Sequence, residues 1–164
     1  MLIKRFLLVA MAAFIVANPC IAADLPAVGS APPGISLPNL DGKNVNIAEF
    51  SGKPMILVFF ASWSKSCQEE LQTLQELSAL YQSSLEVLAI SFDKKQKTLK
   101  EYVNGQNLSF DFLIDKKLST LNSYSILVIP TTIAIGRDGK IKSILVDYDD
   151  NVKSSLRDFV KSEM

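Results

Sequence analysis

The chain has 164 residues, with 17 basic and 17 acidic side chains, two cysteines, one tryptophan and no histidine. The lack of histidine excludes histidine-based catalysis and the usual zinc sites, so we expect no metal and no other cofactor. The balanced charge predicts no basic surface, which excludes nucleic acid as an expected partner.

Residues 1–22 have the layout of a secretory signal peptide. Two basic residues precede an apolar run from Phe6 to Ala17, which is shorter than the roughly 20 apolar residues that a transmembrane helix needs. We place cleavage after Ala22, which predicts an exported, for example periplasmic, protein without a stable membrane span. Cleavage there removes Cys20 and leaves 15 basic against 17 acidic residues. An uncleaved interfacial anchor is the alternative.

The region after the signal peptide divides into a linker and one domain. Residues 23–34 are rich in proline, glycine and alanine, which predicts the linker, and the domain covers residues 35–164. Near the start of the domain, Asp41 and Gly42 lie between two short alternating runs, which predicts a β-hairpin.

A buried strand followed directly by a helix forms the centre of the predicted domain. Residues 54–60 are continuously apolar, as in a central strand. Residues 66–81 show helical spacing. The predicted buried face of this helix consists of Cys67, Leu71, Leu74, Leu77 and Leu80. The helix starts at the carboxyl end of the strand, where α/β sheets place their sites.

The remaining patterns complete an α/β domain. Strands are predicted over residues 85–92, 110–115, 131–136 and 140–146, and helices over 98–104, 118–124 and 149–161. The charged stretch 93–100 is interpreted as a solvated loop that enters a helix. This order predicts a mixed central sheet flanked by helices, with the hairpin as an N-terminal extension.

Two segments carry a family resemblance. The sequence GKPMILVFFASWSKSCQEEL, followed about 60 residues later by IPTTIAIGRDGKI, resembles the thioredoxin-like family. More narrowly, it resembles the exported thiol-disulfide oxidoreductases of the TlpA and ResA type. The resemblance extends from about residue 35 to residue 164. It implies a thioredoxin-like fold and a protein partner that carries a thiol or a disulfide.

The redox motif of that family is altered here. The family uses Trp-Cys-x-x-Cys, in which the first cysteine attacks and the second resolves the mixed disulfide. The resemblance places Ser64 at the attacking position and Cys67 at the resolving position. A serine hydroxyl is not ionised at neutral pH without a base, so we expect dithiol turnover to be weak or absent. Ser64 also suits the N-cap of the helix.

Cys67 and Glu70 each have two interpretations at this stage. Cys67 is either a buried small apolar residue or a lone thiol that forms mixed disulfides or oxidises. The resemblance gives Glu70 a role in handling the proton of the buried thiol. The alternative for Glu70 is an ordinary glutamate on the helix surface.

The segment around Pro130 is the second predicted part of the site. The resemblance implies a cis peptide bond before Pro130, with the backbone of Ile129 free to pair with an extended partner. The alternative is a trans proline that opens an edge strand. Trp63 is interpreted as a rim residue over the thiol or as a core residue, and the two roles are compatible.

Two other functions compete with the oxidoreductase type. The spacing of Ser64 and Cys67 also resembles the second half of the peroxiredoxin motif Pro-x-x-x-Thr/Ser-x-x-Cys, which suggests a one-cysteine peroxidase. However, Phe60 stands at the proline position, and Pro130 stands where the thiolate-stabilising arginine would precede the late strand. The other alternative is a non-enzymatic binding or assembly module that keeps the groove of the fold.

Overall fold

The computed structural model describes residues 26–164. The predicted signal peptide, its cleavage site and Cys20 lie outside these residues. Within the described range, no helix combines the length and the apolar character needed to cross a bilayer.

A two-stranded hairpin opens the domain. Strand β1 (Ser36–Pro38) pairs antiparallel with β2 (Asn44–Asn46). The side chain of Asn39 accepts two backbone N–H groups of the connecting turn, and Gly42 adopts a φ of +84°, which a side chain would disfavour. The predicted N-terminal hairpin is confirmed.

A five-stranded mixed sheet forms the centre of the molecule, in the order β5-β4-β3-β6-β7. Its strands are β3 (Met55–Phe60), β4 (Glu86–Ser91), β5 (Asp111–Ile114), β6 (Thr131–Ile135) and β7 (Ile141–Val146). Strands β3, β4 and β5 run parallel, whereas β6 is antiparallel to β3 and β7 is antiparallel to β6. The sheet and its helices confirm the predicted thioredoxin-like α/β fold.

Within residues 26–164, four α-helices flank the sheet. They are α1 (Lys65–Tyr81), α2 (Gln96–Gly105), α3 (Ser119–Ser123) and α4 (Asp150–Glu163). Helix α4 begins after Asp149, whose carboxylate accepts the backbone N–H of Val152 at 2.8 Å. This bond satisfies one of the free N–H groups at the helix start.

Strand β3 contributes to the core on both faces because successive side chains of a strand point to opposite sides. Ile56, Val58 and Phe60 pack on the face covered by α1, α2 and α4. Leu57 and Phe59 pack on the other face, with the hairpin and the residues around α3. This double burial explains why residues 54–60 show a continuous apolar run rather than an alternating one.

The predicted buried face of α1 is wrong at its last position. Leu71, Leu74 and Leu77 are buried, but Leu80 is 72% exposed. A step of three residues turns back by about 60° on a helix with 3.6 residues per turn. The three successive steps of three from Leu71 to Leu80 therefore carry Leu80 off the buried face.

The described part of the predicted linker lies against the domain. The backbone of Gly29 and Ser30 makes two hydrogen bonds with Ile141 of β7, at 2.8 and 2.9 Å. The hydroxyl of Tyr124 donates a hydrogen bond to the carbonyl of Pro33. The two bonds with Ile141 cover one end of edge strand β7, which would otherwise expose unpaired backbone groups. The division of the chain at residue 34 stays a prediction.

Candidate functional site

A tight turn carries the chain from β3 into α1. It comprises Ala61 to Ser64, and the Ser64 N–H donates to the Ala61 carbonyl at 3.1 Å. Ser64 is extended, with φ −87° and ψ 127°, and its Oγ accepts the backbone N–H of Cys67 at 3.5 Å. Ser64 is thus the N-cap of α1, and the turn holds Trp63 just before the helix.

The Cys67 side chain is fully buried, at 0% exposure, and is a free thiol. Burial raises the pKa of this thiol, and the negative charges of Glu70 and Asp93 raise it further. Hydrogen bonds with the Ser64 side chain and the Ala61 backbone oppose the rise only in part. Cys67 is therefore protonated at neutral pH, and burial outweighs its position near the helix start.

The carboxyl group of Glu70 is also fully buried, at 0% exposure, so the alternative of a surface glutamate does not hold. The Oγ1 of Thr132 donates to Glu70 Oε1 at 2.7 Å, whereas Oε2 has no hydrogen-bond partner within the described structure. Burial raises the pKa of Glu70 to about 7, against the lowering effect of the Thr132 bond, and Asp147 adds to the rise. Glu70 can therefore hold or release a proton near neutral pH.

The segment before β6 completes this end of the sheet. The Ile129–Pro130 peptide bond is cis. The Pro130 carbonyl accepts the N–H of Asp147 at 2.8 Å, and the Val128 carbonyl accepts the hydroxyl of Thr131 at 2.7 Å. No hydrogen bond within residues 26–164 uses the N–H or the carbonyl of Ile129. The Ile129 backbone is thus open to an external partner.

Apolar side chains are exposed in the segments at this end of the sheet, where β3 and β6 pair through Phe59 and Thr131. Trp63 is 75% exposed and Leu127 is 94% exposed, and Val128 and Val146 are also exposed. Because the Trp63 side chain projects from the turn, it does not pack in the core. Apolar exposure on neighbouring loops is typical of a surface that another molecule covers.

Sequence patterns missed two residues beside Cys67. Asp93 is buried rather than part of a solvated loop, and it acts on the pKa of Cys67. The hydroxyl of Tyr102, from α2, is buried without a partner in the described structure. Burial raises the pKa of Tyr102, and Cys67 and Asp93 add to the rise. The position of Asp93 just after a parallel strand was the available signal.

Within the described residues, no positively charged side chain acts on the Cys67 thiol. Its two arginines are engaged elsewhere: Arg137 bonds to Glu163 and Arg157 to Glu76. No group of three metal-ligating side chains occurs within residues 26–164. The site therefore consists of a protonated thiol, a buried carboxyl group, an apolar rim and an open backbone segment.

Comparisons with known proteins identify the family of the chain. The family model AhpC/TSA matches residues 28–144. The thiol-disulfide oxidoreductase ResA of Geobacillus thermodenitrificans is 32% identical over 120 residues, which cover 73% of this chain and 69% of that protein.

Solved structures show the same fold. A candidate thiol:disulfide interchange protein DsbE from Chlorobium tepidum superposes with a TM-score of 0.79 at 24% identity, covering 84% of this chain and 98% of that one. A thiol-disulfide oxidoreductase from Bacteroides fragilis gives a TM-score of 0.68 at 26% identity, covering 79% and 98%. The chain described here thus belongs to the AhpC/TSA family of thioredoxin-like proteins and, within it, resembles the thiol-disulfide oxidoreductases of the ResA type.

Proposed function

We propose that this protein is an exported thioredoxin-fold protein with a one-cysteine site, which contacts thiol- or disulfide-bearing protein partners and has weak or no dithiol turnover. The observation that carries the proposal is the pair Ser64 and Cys67, with a hydroxyl at the helix N-cap and a buried thiol one turn later. Export is supported by the composition of residues 1–22.

The partner-binding surface in this proposal consists of Trp63, Ile129 and Pro130. The open N–H and carbonyl of Ile129 suit an extended partner segment, which would add to the structure as a strand does. The exposed rim formed by Trp63 and Leu127 suits apolar side chains in that segment. Affinity then comes from backbone pairing and apolar contact, without a charge on the thiol.

Thiol chemistry at such a site stops after one step. The Cys67 thiolate attacks a partner disulfide, forms a mixed disulfide and releases one partner thiolate. Within the described chain no second cysteine can attack this mixed disulfide. Its release then requires an external thiol, which is oxidised in turn. No hydrogen bond joins Glu70 to Cys67 in the described structure. In this proposal the Cys67 proton therefore passes through one water to Glu70, whose carboxyl group titrates near neutral pH.

Insulin reduction in the presence of dithiothreitol tests the lack of turnover. We compare residues 23–164 with the matched variant Ser64→Cys, which supplies an attacking thiol at the helix N-terminus. We expect the unchanged protein to stay at the background rate and the variant to exceed it by about tenfold or more, because a cysteine there ionises readily. Robust turnover by the unchanged protein would contradict the proposal.

A binding module without thiol chemistry is the second candidate, and the complete burial of Cys67 favours it. Capture of a disulfide-bearing peptide by the unchanged protein and by Cys67→Ala separates the two functions. Capture that Cys67→Ala loses, and that a reductant reverses, supports the mixed disulfide. Equal capture under reducing conditions by both proteins supports the binding module.

A further inference from the structure

Asp93 is a buried carboxylate that the proposed chemistry does not use. It lies two residues beyond the end of β4, and both of its oxygens are occupied. Oδ2 accepts the backbone N–H of Ser62 at 2.9 Å and the hydroxyl of Ser91 at 2.7 Å. Oδ1 accepts the hydroxyl of Ser62 at 2.9 Å. A carboxylate can accept all three bonds because it is an acceptor at both oxygens.

The residue that Asp93 holds lies inside the turn between β3 and α1. The third polar group of Ser62, its carbonyl, accepts the side-chain amide of Gln68 at 2.7 Å. Every hydrogen-bonding group of Ser62 is thus engaged, by Asp93 beyond β4 and by Gln68 of α1. The neighbouring residue, Trp63, is exposed between this fixed point and the N-cap Ser64.

The charge of Asp93 also acts on the Cys67 thiol. Two charged groups act on Cys67, Glu70 from its own helix and Asp93 from beyond β4. The thiol in turn acts on Tyr102 of α2. None of them is a cation. A carboxylate in this position favours the neutral thiol over the thiolate.

We propose that Asp93 is a positioning residue of this site, whose carboxylate holds the turn from Ala61 to Ser64 so that Trp63 stays on the partner surface and Cys67 stays behind it. The role rests on the proposed function, since that function assigns Trp63 and Cys67 to partner contact. The geometric part concerns the free protein and can be tested without a partner.

The test is Asp93→Asn, with Asp115→Asn as the matched control. Asp115 is a second buried aspartate, just beyond the adjacent parallel strand β5, and its oxygens accept four bonds from Ser119 and Thr120 at 2.7–3.0 Å. It contacts neither the turn nor Cys67 in these bonds. Both variants replace a two-oxygen acceptor by an amide with one acceptor oxygen.

The readouts are the pH profile of native-state alkylation of Cys67 by iodoacetamide and the quenching of Trp63 fluorescence by acrylamide. We expect Asp93→Asn to lower the apparent pKa of the thiol and to raise the alkylation rate at pH 7–8. A shift of half a pKa unit corresponds to about a threefold change in thiolate fraction. Quenching of Trp63 should also change. The control should lose stability and leave both readouts as in the unchanged protein.

Equal alkylation profiles for Asp93→Asn and the unchanged protein, or equal changes in the control, would overturn the proposal. If Asp93→Asn does not fold, Ser62→Ala removes only one of the three bonds and keeps the charge of Asp93, so it should change the quenching of Trp63 by less and should not lower the apparent pKa of the thiol. Unchanged quenching in Ser62→Ala would then count against the role. Since no partner is present, the outcome is independent of the insulin and capture experiments.

Discussion

At the scale of single residues, the pair Cys67 and Glu70 determines the chemistry of this end of the sheet. Both groups are buried, and burial favours the uncharged form of each. The helix start alone would favour a thiolate. The outcome is a thiol that is protonated at neutral pH beside a carboxyl group that titrates there.

The raised pKa of Glu70 makes the stability of the protein depend on pH. The pKa is about 7 in the folded protein against an ordinary value of 4.5. The folded state thus keeps a proton that the unfolded state loses between these values. This contribution to stability is fully present below about pH 4.5 and is lost as the pH rises through about 7.

We therefore expect Glu70→Gln to remove part of this pH dependence. The contribution of one such group is on the order of 3 kcal/mol over the whole interval. Urea unfolding at pH 5 and pH 8 measures it for both proteins. The variant should lose less stability between the two pH values than the unchanged protein. Parallel losses in the two proteins would show that Glu70 is not the group responsible.

At the scale of elements, helix α1 links the core to the site. Its first turn carries Ser64 and Cys67, and its next turns pack on the sheet. The pattern of apolar residues predicts the helix and most of its buried face. The pattern cannot define where the buried face ends, because that depends on how the helix lies on the sheet. Leu80 was therefore predicted as buried but is exposed.

The difference between Leu71 and Leu80 can be measured directly. Leu71→Ala removes a fully buried side chain, and we expect it to lower the free energy of unfolding by about 2–5 kcal/mol. Leu80→Ala changes a side chain that is 72% exposed, and we expect an effect within about 0.5 kcal/mol. Chemical denaturation of both variants checks this. A large loss for Leu80→Ala would mean that the helix packs along the face predicted from sequence.

The N-cap of α1 gives a second prediction at this scale. Ser64→Ala removes the acceptor for the Cys67 N–H, and the bond is long at 3.5 Å. We expect a loss near the lower end of the usual range for caps, about 0.5–1 kcal/mol. A hydrogen bond of the Ser64 side chain to the thiol also lowers the pKa of Cys67, so without Ser64 the thiol should react more slowly with iodoacetamide. Faster alkylation would indicate that the cap shields the sulfur instead of stabilising its charge.

At the scale of the whole molecule, more of the fold than of the site could be predicted from the sequence. The continuous run 54–60 and the order of strands and helices were enough for the mixed sheet, and Asp41-Gly42 between two alternating runs was enough for the hairpin. The contact between Asp93 and Ser62 joins residues 31 positions apart. Local spacing carries no information on such a pair, so the charged neighbours of Asp93 suggested a solvated loop. Tyr102 was missed for the same reason.

The N-terminal segment gives a prediction for the molecule as a whole. Its two hydrogen bonds with Ile141 cover one end of edge strand β7. A chain that starts at Ala31 lacks these bonds, and we expect it to fold with a stability lower by about 1–2 kcal/mol, since each bond contributes about 1 kcal/mol net. Thermal unfolding compares it with a chain that starts at Ala27 and keeps both bonds. Equal melting temperatures would show that residues 27–30 contribute nothing to stability.

The single tryptophan has a practical consequence for spectroscopy. Trp63 is 75% exposed in the folded protein, so its emission should change little on unfolding and is a poor signal for a denaturation curve. A partner that covers the apolar rim would move the indole out of water and shift its emission to the blue. Intrinsic fluorescence at this position is thus a label-free indicator of docking, and folding is better followed by circular dichroism.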